Sequence, residues 1–168
     1  MDAIECIKTR RSIRKFKPDP IPRELLNEVL DCARHAPSSM GKQPWLFVVV
    51  KDHAQKERLA ELKAKSYASP WMVDAPVLIG VCADLSKSPK RWIADGAIAA
   101  ENILLAAHAL GLGACWIAAR YDDTSLNAQF QKALGVGENV FPLCLIALGY
   151  PDEEPHPKQL KSLDSMVR

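Results

Sequence analysis

The chain has 168 residues, of which 48% are hydrophobic and 25% charged, and its formal net charge at pH 7 is +2. This length predicts a single domain, residues 1–168, that buries most of its apolar surface. The small net charge excludes general attraction to nucleic acid or to an anionic membrane, so any basic site must be local.

Two helices are predicted before the first strand. Asp2 is suited to cap a helix from Ala3 to about Lys8, with Ile4 and Ile7 facing inward. A second, amphipathic helix ends before Pro37, because a residue that precedes proline is disfavoured in the helical conformation. The apolar stripe of this helix consists of Leu25, Leu26, Val29, Leu30 and Ala33.

Between these helices, five of the nine residues from Thr9 to Lys17 are basic. Most charge runs are solvated surfaces. Here, however, Ile13 and Phe16 interrupt the charges, which predicts that the segment is held against the core. Ser12 adds a hydroxyl donor among guanidinium groups, a combination suited to a phosphate or carboxylate. We therefore predict an anion site in this segment.

A loop of small polar residues, 36–45, leads into the first strand. Its prolines either stop the preceding helix or stiffen a loop that presents hydrogen-bond donors, and this segment alone favours the two readings equally. Gly41 and Lys42 resemble part of a phosphate-binding P-loop. That motif fails, because Ala36 replaces its first glycine and Gln43 replaces the required serine or threonine.

The rest of the chain predicts strands that alternate with helices. Runs rich in valine, isoleucine and leucine predict strands at 46–50, 76–82, 114–118 and 140–148, and further helices are predicted at 54–65 and 125–134. Nearly continuous apolar strands indicate a sheet that is covered on both faces. Between them, segment 66–72 carries Tyr67 and Trp71, which are either part of a lid over a site or packing aromatics.

The central element is a helix from Ile93 to Leu110, composed almost entirely of alanine, isoleucine and leucine. Such a helix must pack on several sides, and it is too short and too interrupted to span a bilayer. Gly111 is the natural residue to end it, and Gly113 follows. Because glycine has no side chain, this turn leaves backbone N–H groups accessible in the middle of the molecule, where they can contact a flat ligand. The third glycine of a dinucleotide-binding fingerprint is missing, so that reading is rejected.

Other kinds of site are disfavoured. The four histidines are scattered, which makes a metal site improbable, and the sequence has no G-x-S-x-G nucleophile elbow. The five cysteines are odd in number and lie in apolar runs, which predicts free buried thiols in a reducing compartment. The amino terminus lacks the features of a signal peptide, so we expect a cytoplasmic protein. An enzyme without an evident nucleophile or metal site can obtain its chemistry from a bound cofactor.

Four separate motifs, in order and in register over essentially the whole chain, resemble those of the FMN-dependent nitroreductase family. They are Arg10 to Phe16, Ala36 to Trp45, Gly111 to Trp116 and Leu148 to Pro151. The resemblance implies an α+β fold, a three-layer α/β/α sandwich with a mixed sheet. It also implies a homodimer with FMN at the subunit interface, and we expect the central apolar helix to supply the dimer contact.

The resemblance also assigns roles to residues. Arg10, Ser12 and Arg14 would hold the phosphate and ribityl chain, with Arg11 beside them, and Lys158 or Lys161 would complete the phosphate site. The loop that reaches the flavin from the partner chain matches Pro37, Ser38, Ser39, Met40 and Gly41. Residues matching Trp116, Ile117, Ala118 and Ala119 would line the ring, with an N–H of Ala118 or Ala119 near flavin N5.

The expected function is electron transfer from NADH or NADPH, through FMN, to a nitroaromatic, quinone or similar small-molecule acceptor. No side chain need act as an acid, base or nucleophile, so no catalytic residue is assigned. One alternative is a flavoenzyme of the same fold that reduces enones, removes halogens or oxidises a bound substrate. The other is a flavin-binding protein without enzymatic activity.

Overall fold

The computed structural model describes residues 1–119 and 123–168 of the chain. Its helices are α1 (Ala3–Thr9), α2 (Arg23–Arg34), α3 (His53–Ala64), α4 (Trp92–Ala109) and α5 (Thr124–Leu134). Its strands are β1 (Trp45–Val50), β2 (Val77–Asp84), β3 (Gly113–Ala118) and β4 (Val140–Gly149). Short 3₁₀ turns cover Ser39–Gly41, Pro70–Asp74 and Leu163–Ser165. None of the helices in the described ranges is both long enough and apolar enough to cross a bilayer.

The strands form one sheet in the order β1-β2-β4-β3, and every neighbouring pair is antiparallel. We predicted a mixed sheet. In the described part of the chain, parallel pairing is limited to an isolated bridge between Ser12 and Ala114. The mixed character is therefore corrected to an antiparallel sheet with one parallel bridge at its β3 edge. The physical reason is the strand order: β2 and β3, which run in the same direction, are separated by β4, and β1 and β4 are separated by β2.

Helices cover both faces of the sheet, which confirms the three-layer sandwich. Side chains of a strand alternate between the two faces. From β2, Ile79 and Val81 pack in one cluster with α2 and α4. Leu78 and Cys82 pack in the other cluster with α3 and α5. Because both faces are buried, β2 and β4 consist almost wholly of apolar residues, as the sequence predicted.

Helix α4 lies against the sheet and against α2, and most of its length is buried. As predicted, it ends before Gly111, whose φ of +78° is the left-handed conformation that glycine adopts most easily. One stripe of α4 stays open to solvent in the single chain. This open stripe of α4 consists of Ala94, Ile98, Glu101, Leu105 and Ala109, of which Leu105 is half-buried and the others are exposed.

The inward orientation that we predicted for Ile4 and Ile7 is wrong. Helix α1 begins as expected, since the Asp2 carboxylate accepts hydrogen bonds from the Ile4 and Glu5 N–H groups. However, Cys6 is the buried residue of α1, and its Sγ lies 3.3 Å from the Leu105 carbonyl oxygen on α4. Contact through the Cys6 face turns the isoleucines outward, and Ile4 and Ile7 are 61% and 54% exposed.

Candidate functional site

The basic segment lies along the free edge of β3. The Ile13 N–H donates to the Ala114 carbonyl oxygen at 3.1 Å, and Phe16 forms a bridge with Pro151. Ile13 and Phe16 are both buried, which confirms that the segment is held against the core. Gly113 permits this close approach, because a Cβ atom there would lie 2.9 Å from the Ile13 side chain. With the apolar side chains facing inward, the charged ones are left near the surface.

A cavity of about 410 Å³ collects the basic residues, and we call it the basic cavity. Its lining consists of Arg10, Arg11, Ser12, Arg14, Glu153, Glu154, Pro155, His156 and Lys158. The structure thus brings together all four predicted residues of the basic segment and one of the two candidate lysines of the tail. Lys161 does not line the cavity. His156 does, although sequence reasoning missed it, because no local pattern shows where an extended tail will turn.

Two of the arginines already have partners. The Arg10 Nε lies 3.7 Å from Glu101 Oε1, and the side chain of Arg10 is largely buried. The Arg11 Nη1 donates to the carbonyl oxygens of Lys8, Thr9 and Arg10 at 3.0, 3.0 and 2.9 Å. These carbonyls are at the end of α1, where a cation is favourable. Arg11 is therefore also a structural residue, which explains its position at the border of the cavity.

The tail is fixed beside the basic segment by backbone pairing and by one carboxylate. Lys17 donates its N–H to the Tyr150 carbonyl oxygen, and Asp152 donates its N–H to that of Lys15. Glu153 Oε1 accepts from the backbone N–H groups of Arg14 and Lys15. This carboxylate is engaged by backbone donors, and the guanidinium of Arg14 is directed elsewhere. The pairing also brings the later tail residues to the basic cavity.

A second cavity, of about 340 Å³, lies along β3 next to the basic cavity, and we call it the edge cavity. Its lining consists of Arg14, Lys63, Tyr67, Ala68, Ser69, Trp71, Cys115, Trp116, Ile117 and Ala118. Arg14 lines both cavities, and its guanidinium carbon lies 5.9 Å from the centre of the Trp71 ring. This distance is within the range of a cation–π interaction.

Lys63 is a site residue that the sequence interpretation missed. We predicted α3 as a surface helix, yet Lys63 is buried and its Nζ lies 5.9 Å from the centre of the Tyr67 ring. A signal was present, because Lys63 follows the buried Leu59 by four residues and so lies on the same face of the helix. A lysine at that spacing is usually assigned to the solvent side, which concealed it.

The strand pairing decides which backbone amides face the edge cavity. The Ala119 N–H donates to the Leu143 carbonyl oxygen at 3.1 Å, so it is engaged within the sheet. Backbone groups of successive residues in an antiparallel strand point alternately to opposite sides. Since β3 is an edge strand, the N–H groups of Trp116 and Ala118 point toward the free edge. Of the two amides predicted near the flavin, that of Ala118 has the suitable direction, and Ala119 is buried beside it.

The predicted flavin loop lies elsewhere. Its 3₁₀ turn, Ser39–Gly41, is close to the first turn of α4, because the Ser39 N–H donates to Asp95 Oδ1 at 2.8 Å. Residues 37–41 line neither the basic nor the edge cavity. Met40 and Gly41 have φ values of +55° and +66°, and Met40 is 88% exposed. A non-glycine residue in this conformation costs about 1–3 kcal/mol, a strain that is concentrated at functional sites.

Electrostatic effects around the cavities reflect the clustered cations. Burial lowers the pKa of His108, and the guanidinium groups of Arg10 and Arg11 lower it further. Burial raises the pKa of the Cys115 thiol, while Arg14 is the largest influence in the opposite direction. In both groups burial is the larger cause of the pKa shift, and the neighbouring guanidinium groups are the next. The same positive charge favours a bound anion.

The fold and this pair of cavities define an α+β protein with a basic cavity beside the free edge of a sheet. Residues 7–75 and 63–150 match the model of the Nitroreductase family. The two matched ranges overlap and together cover most of the chain. The chain therefore belongs to the nitroreductase family, which confirms the resemblance of the four sequence motifs.

Individual proteins agree with this assignment. A Methanothermobacter thermautotrophicus protein, provisionally named NADH dehydrogenase/NAD(P)H nitroreductase, is 42% identical over 162 residues, which are 95% of this chain and 83% of the relative. The crystal structure of a protein with the same provisional name from Parabacteroides distasonis has a TM-score of 0.90 at 31% identity, with 98% and 96% of the two chains covered. An FMN-dependent nitroreductase from Clostridium difficile has a TM-score of 0.84 at 36% identity, with 98% and 94% covered.

Proposed function

We propose that the chain is an FMN-dependent oxidoreductase that takes hydride from NADH or NADPH and reduces a nitroaromatic compound, a quinone or a similar acceptor. The observation that carries this proposal is the junction of the two cavities at Arg14. FMN has a dianionic phosphate at one end and a flat aromatic ring at the other. A basic cavity that continues into an aromatic-lined strand edge fits both ends. The names of the relatives support the same assignment.

In this proposal the basic cavity holds the phosphate and the ribityl chain. Arg10, Ser12 and Arg14 supply charged and hydroxyl donors, with Arg11 beside them. Lys158 completes the phosphate site, since of the two tail lysines it is the one that lines the cavity. A charge-assisted hydrogen bond contributes about 1.5–3 kcal/mol. Two or three of them retain the cofactor tightly, which makes it a resident group of the protein.

The edge cavity holds the ring. Trp116, Ile117 and Ala118 line it, and Ala119 supports them from the sheet. When bound, FMN supplies the site that accepts hydride and later releases electrons. The Ala118 N–H is held in a fixed direction by the pairing of β3 with β4, so it donates without reorganisation as charge develops. Arg14 and Lys63 add positive charge at the same cavity, which favours a reduced, anionic ring.

The proposed mechanism is ping-pong. Tyr67 is exposed and Trp71 is half-buried at the edge cavity, so aromatic side chains border its opening. The nicotinamide donor and the electron acceptor are both flat, and each uses this opening in turn. The role of the chain's own residues is to bind, orient and tune the cofactor. No side chain is assigned an acid–base or nucleophilic role.

We further propose that the active form is a homodimer. The open stripe of α4, the exposed isoleucines of α1 and the apolar residues of the tail form surfaces that are unusual for a monomer. The tail residues are Leu160, Leu163, Met166 and Val167, all of them exposed. In addition, the Ser39–Gly41 turn contacts the first turn of α4, whereas the basic segment pairs with Ala114, beyond the other end of that helix. Residues 37–41 line neither cavity of their own chain, so in this proposal the loop reaches the flavin of the partner chain.

We take residues 1–168 as one domain, since both apolar clusters share one sheet. The five cysteines are free, which is consistent with a reducing, cytoplasmic environment.

The test is to follow two separate half-reactions. The purified protein, or the apoprotein titrated with FMN, is expected to show the visible absorbance of bound flavin. Under anaerobic conditions NADH or NADPH should bleach it, and a nitroaromatic or quinone added after removal of the nucleotide should restore it. A preparation that does not bind FMN would refute the proposal. Flavin that is reduced by light but stays reduced with every acceptor would indicate a binding protein, and reoxidation only by an enone or a halogenated phenol would indicate the related chemistries.

A further inference from the structure

Asp95 is a buried carboxylate to which the sequence interpretation gave no role. It lies in the first turn of α4 and is 3% exposed. Its two oxygens have different partners: Oδ1 accepts from the Ser39 N–H at 2.8 Å, and Oδ2 accepts from Ser88 Oγ at 2.7 Å. Asp95 therefore joins two loops, one containing the Ser39–Gly41 turn and the other leading from β2 into α4.

The hydrogen bond between Ser39 and Asp95 differs from the other hydrogen bonds of the loop. The Gly41 N–H donates to the Ser38 carbonyl oxygen, and the Gln43 N–H donates to Ser38 Oγ. Those bonds remain inside the loop. Among the hydrogen bonds that the described structure gives residues 38–43, the one to Asp95 connects the loop to a helix. A turn with left-handed φ angles at Met40, Gly41 and Gln43 persists only when its surroundings hold it.

The other oxygen of Asp95 is held just as firmly. Ser88 is buried, its N–H donates to the Asp84 carbonyl oxygen, and its own carbonyl oxygen accepts from the Trp92 N–H. Ser88 is thus fixed between the end of β2 and the start of α4. The positive amino-terminal end of the α4 dipole also favours a nearby negative charge. These interactions compensate the burial of the carboxylate and fix its orientation toward Ser39.

We propose that Asp95 is a positioning residue that holds the Ser39–Gly41 turn in the shape that presents Met40 to the FMN of a second copy. This inference rests on the proposed function, in which that loop completes the flavin site across a dimer. Met40 fits the role, because its side chain is 88% exposed and its backbone is strained in the single chain. Asp95 itself touches no cofactor and acts through the backbone of Ser39.

The experiment compares the affinity of the apoprotein for FMN, measured by quenching of flavin fluorescence, in matched variants. Asp95→Ala should raise the FMN Kd about tenfold, the effect of losing one hydrogen bond to a charged group. Asp95→Asn should stay within about twofold of the wild type, since its amide can accept from Ser39 and donate to Ser88. The visible circular dichroism of bound flavin should change in Asp95→Ala and recover in Asp95→Asn.

Asp52→Ala is the control for a purely structural loss. Asp52 caps α3 by accepting from the Gln55 N–H, and it follows the end of β1 that is opposite to the loop. Its removal should lower the Tm and leave the FMN Kd unchanged. An Asp95→Ala protein that is folded and binds FMN like the wild type would overturn the inference. If Asp95→Ala does not fold, the FMN Kd of Ser88→Ala tests the inference instead. A Kd about threefold higher than that of the wild type would support the inference, and an unchanged Kd would refute it. A wild-type apoprotein that binds no FMN would refute the proposed function itself.

Discussion

The sharpest prediction concerns Arg10, a largely buried cation of the basic cavity. Replacing Arg10 with alanine removes a guanidinium group from the proposed phosphate site. The salt bridge lost to Glu101 is long, at 3.7 Å, and Glu101 is half exposed, so that loss contributes at most about 1 kcal/mol. A charge-assisted bond to phosphate contributes about 1.5–3 kcal/mol, which corresponds to a rise of about 10- to 150-fold in the FMN Kd.

The assay compares FMN with riboflavin, which lacks the phosphate. Arg10→Ala should weaken binding of FMN by the amount just given and leave riboflavin binding nearly unchanged. Arg58→Ala is the matched control, because Arg58 is an exposed arginine of α3 that pairs with Glu61 at 3.2 Å. It removes the same charge away from the cavity and should affect neither ligand. If Arg10→Ala weakened both ligands equally, or neither, the assignment of the basic cavity to the phosphate would be wrong.

Three further predictions test other parts of the structure. Ala118→Pro removes the N–H that faces the free edge of β3, where proline is tolerated. In stopped-flow measurements this variant should reduce its bound flavin with NADH about 10- to 100-fold more slowly. An unchanged rate would exclude the Ala118 N–H as a donor to the flavin. Ile98 on α4 is 40% exposed, and Ile98→Asp should give monomers by light scattering and weak FMN binding by fluorescence. The control is Leu46→Asp on β1, at a position that is 46% exposed, which should leave the dimer intact. Burial raises the pKa of Cys82 from 9.0 to about 12, so the folded chain keeps a proton that the unfolded chain loses, and stability should fall as pH rises above 9.0. Cys82→Ala should flatten this decline by about 1.4 kcal/mol per pH unit in urea titrations, and equal slopes for the two proteins would contradict the assignment.

The parts of the site that sequence could predict are those determined by neighbours along the chain. Ile13 and Phe16 alternate with charges, so their burial followed from local spacing. Gly111 ended α4 as expected, because the left-handed conformation favours glycine there. Element bounds agreed closely for the same reason, since helix caps and apolar periodicity are local signals.

The missed parts depend on contacts between segments that are distant in sequence. Lys63 lines the edge cavity together with residues of β3, and His156 reaches the basic cavity because the tail pairs with the basic segment. The spacing of Lys63 from Leu59 indicated its face of the helix, but no local pattern indicated which distant segment either residue would meet. Ile4 and Ile7 show a different error. Their apolar character led us to predict burial, but it does not indicate whether a side chain is buried within its own chain. The choice between the amides of Ala118 and Ala119 also required the observed pairing with β4.

The position of the Ser39–Gly41 turn bears on the proposed homodimer. The turn lies at the first turn of α4, and the basic segment runs beside β3, which follows the end of the same helix. Two copies of α4 packed antiparallel across their open stripes would bring the turn of each chain to the cavities of the other. In a twofold dimer both chains would contribute their turn to the partner's cavities, because the interface pairs the same surface on both subunits. Flavin affinity should therefore depend on protein concentration and fall as the dimer dissociates.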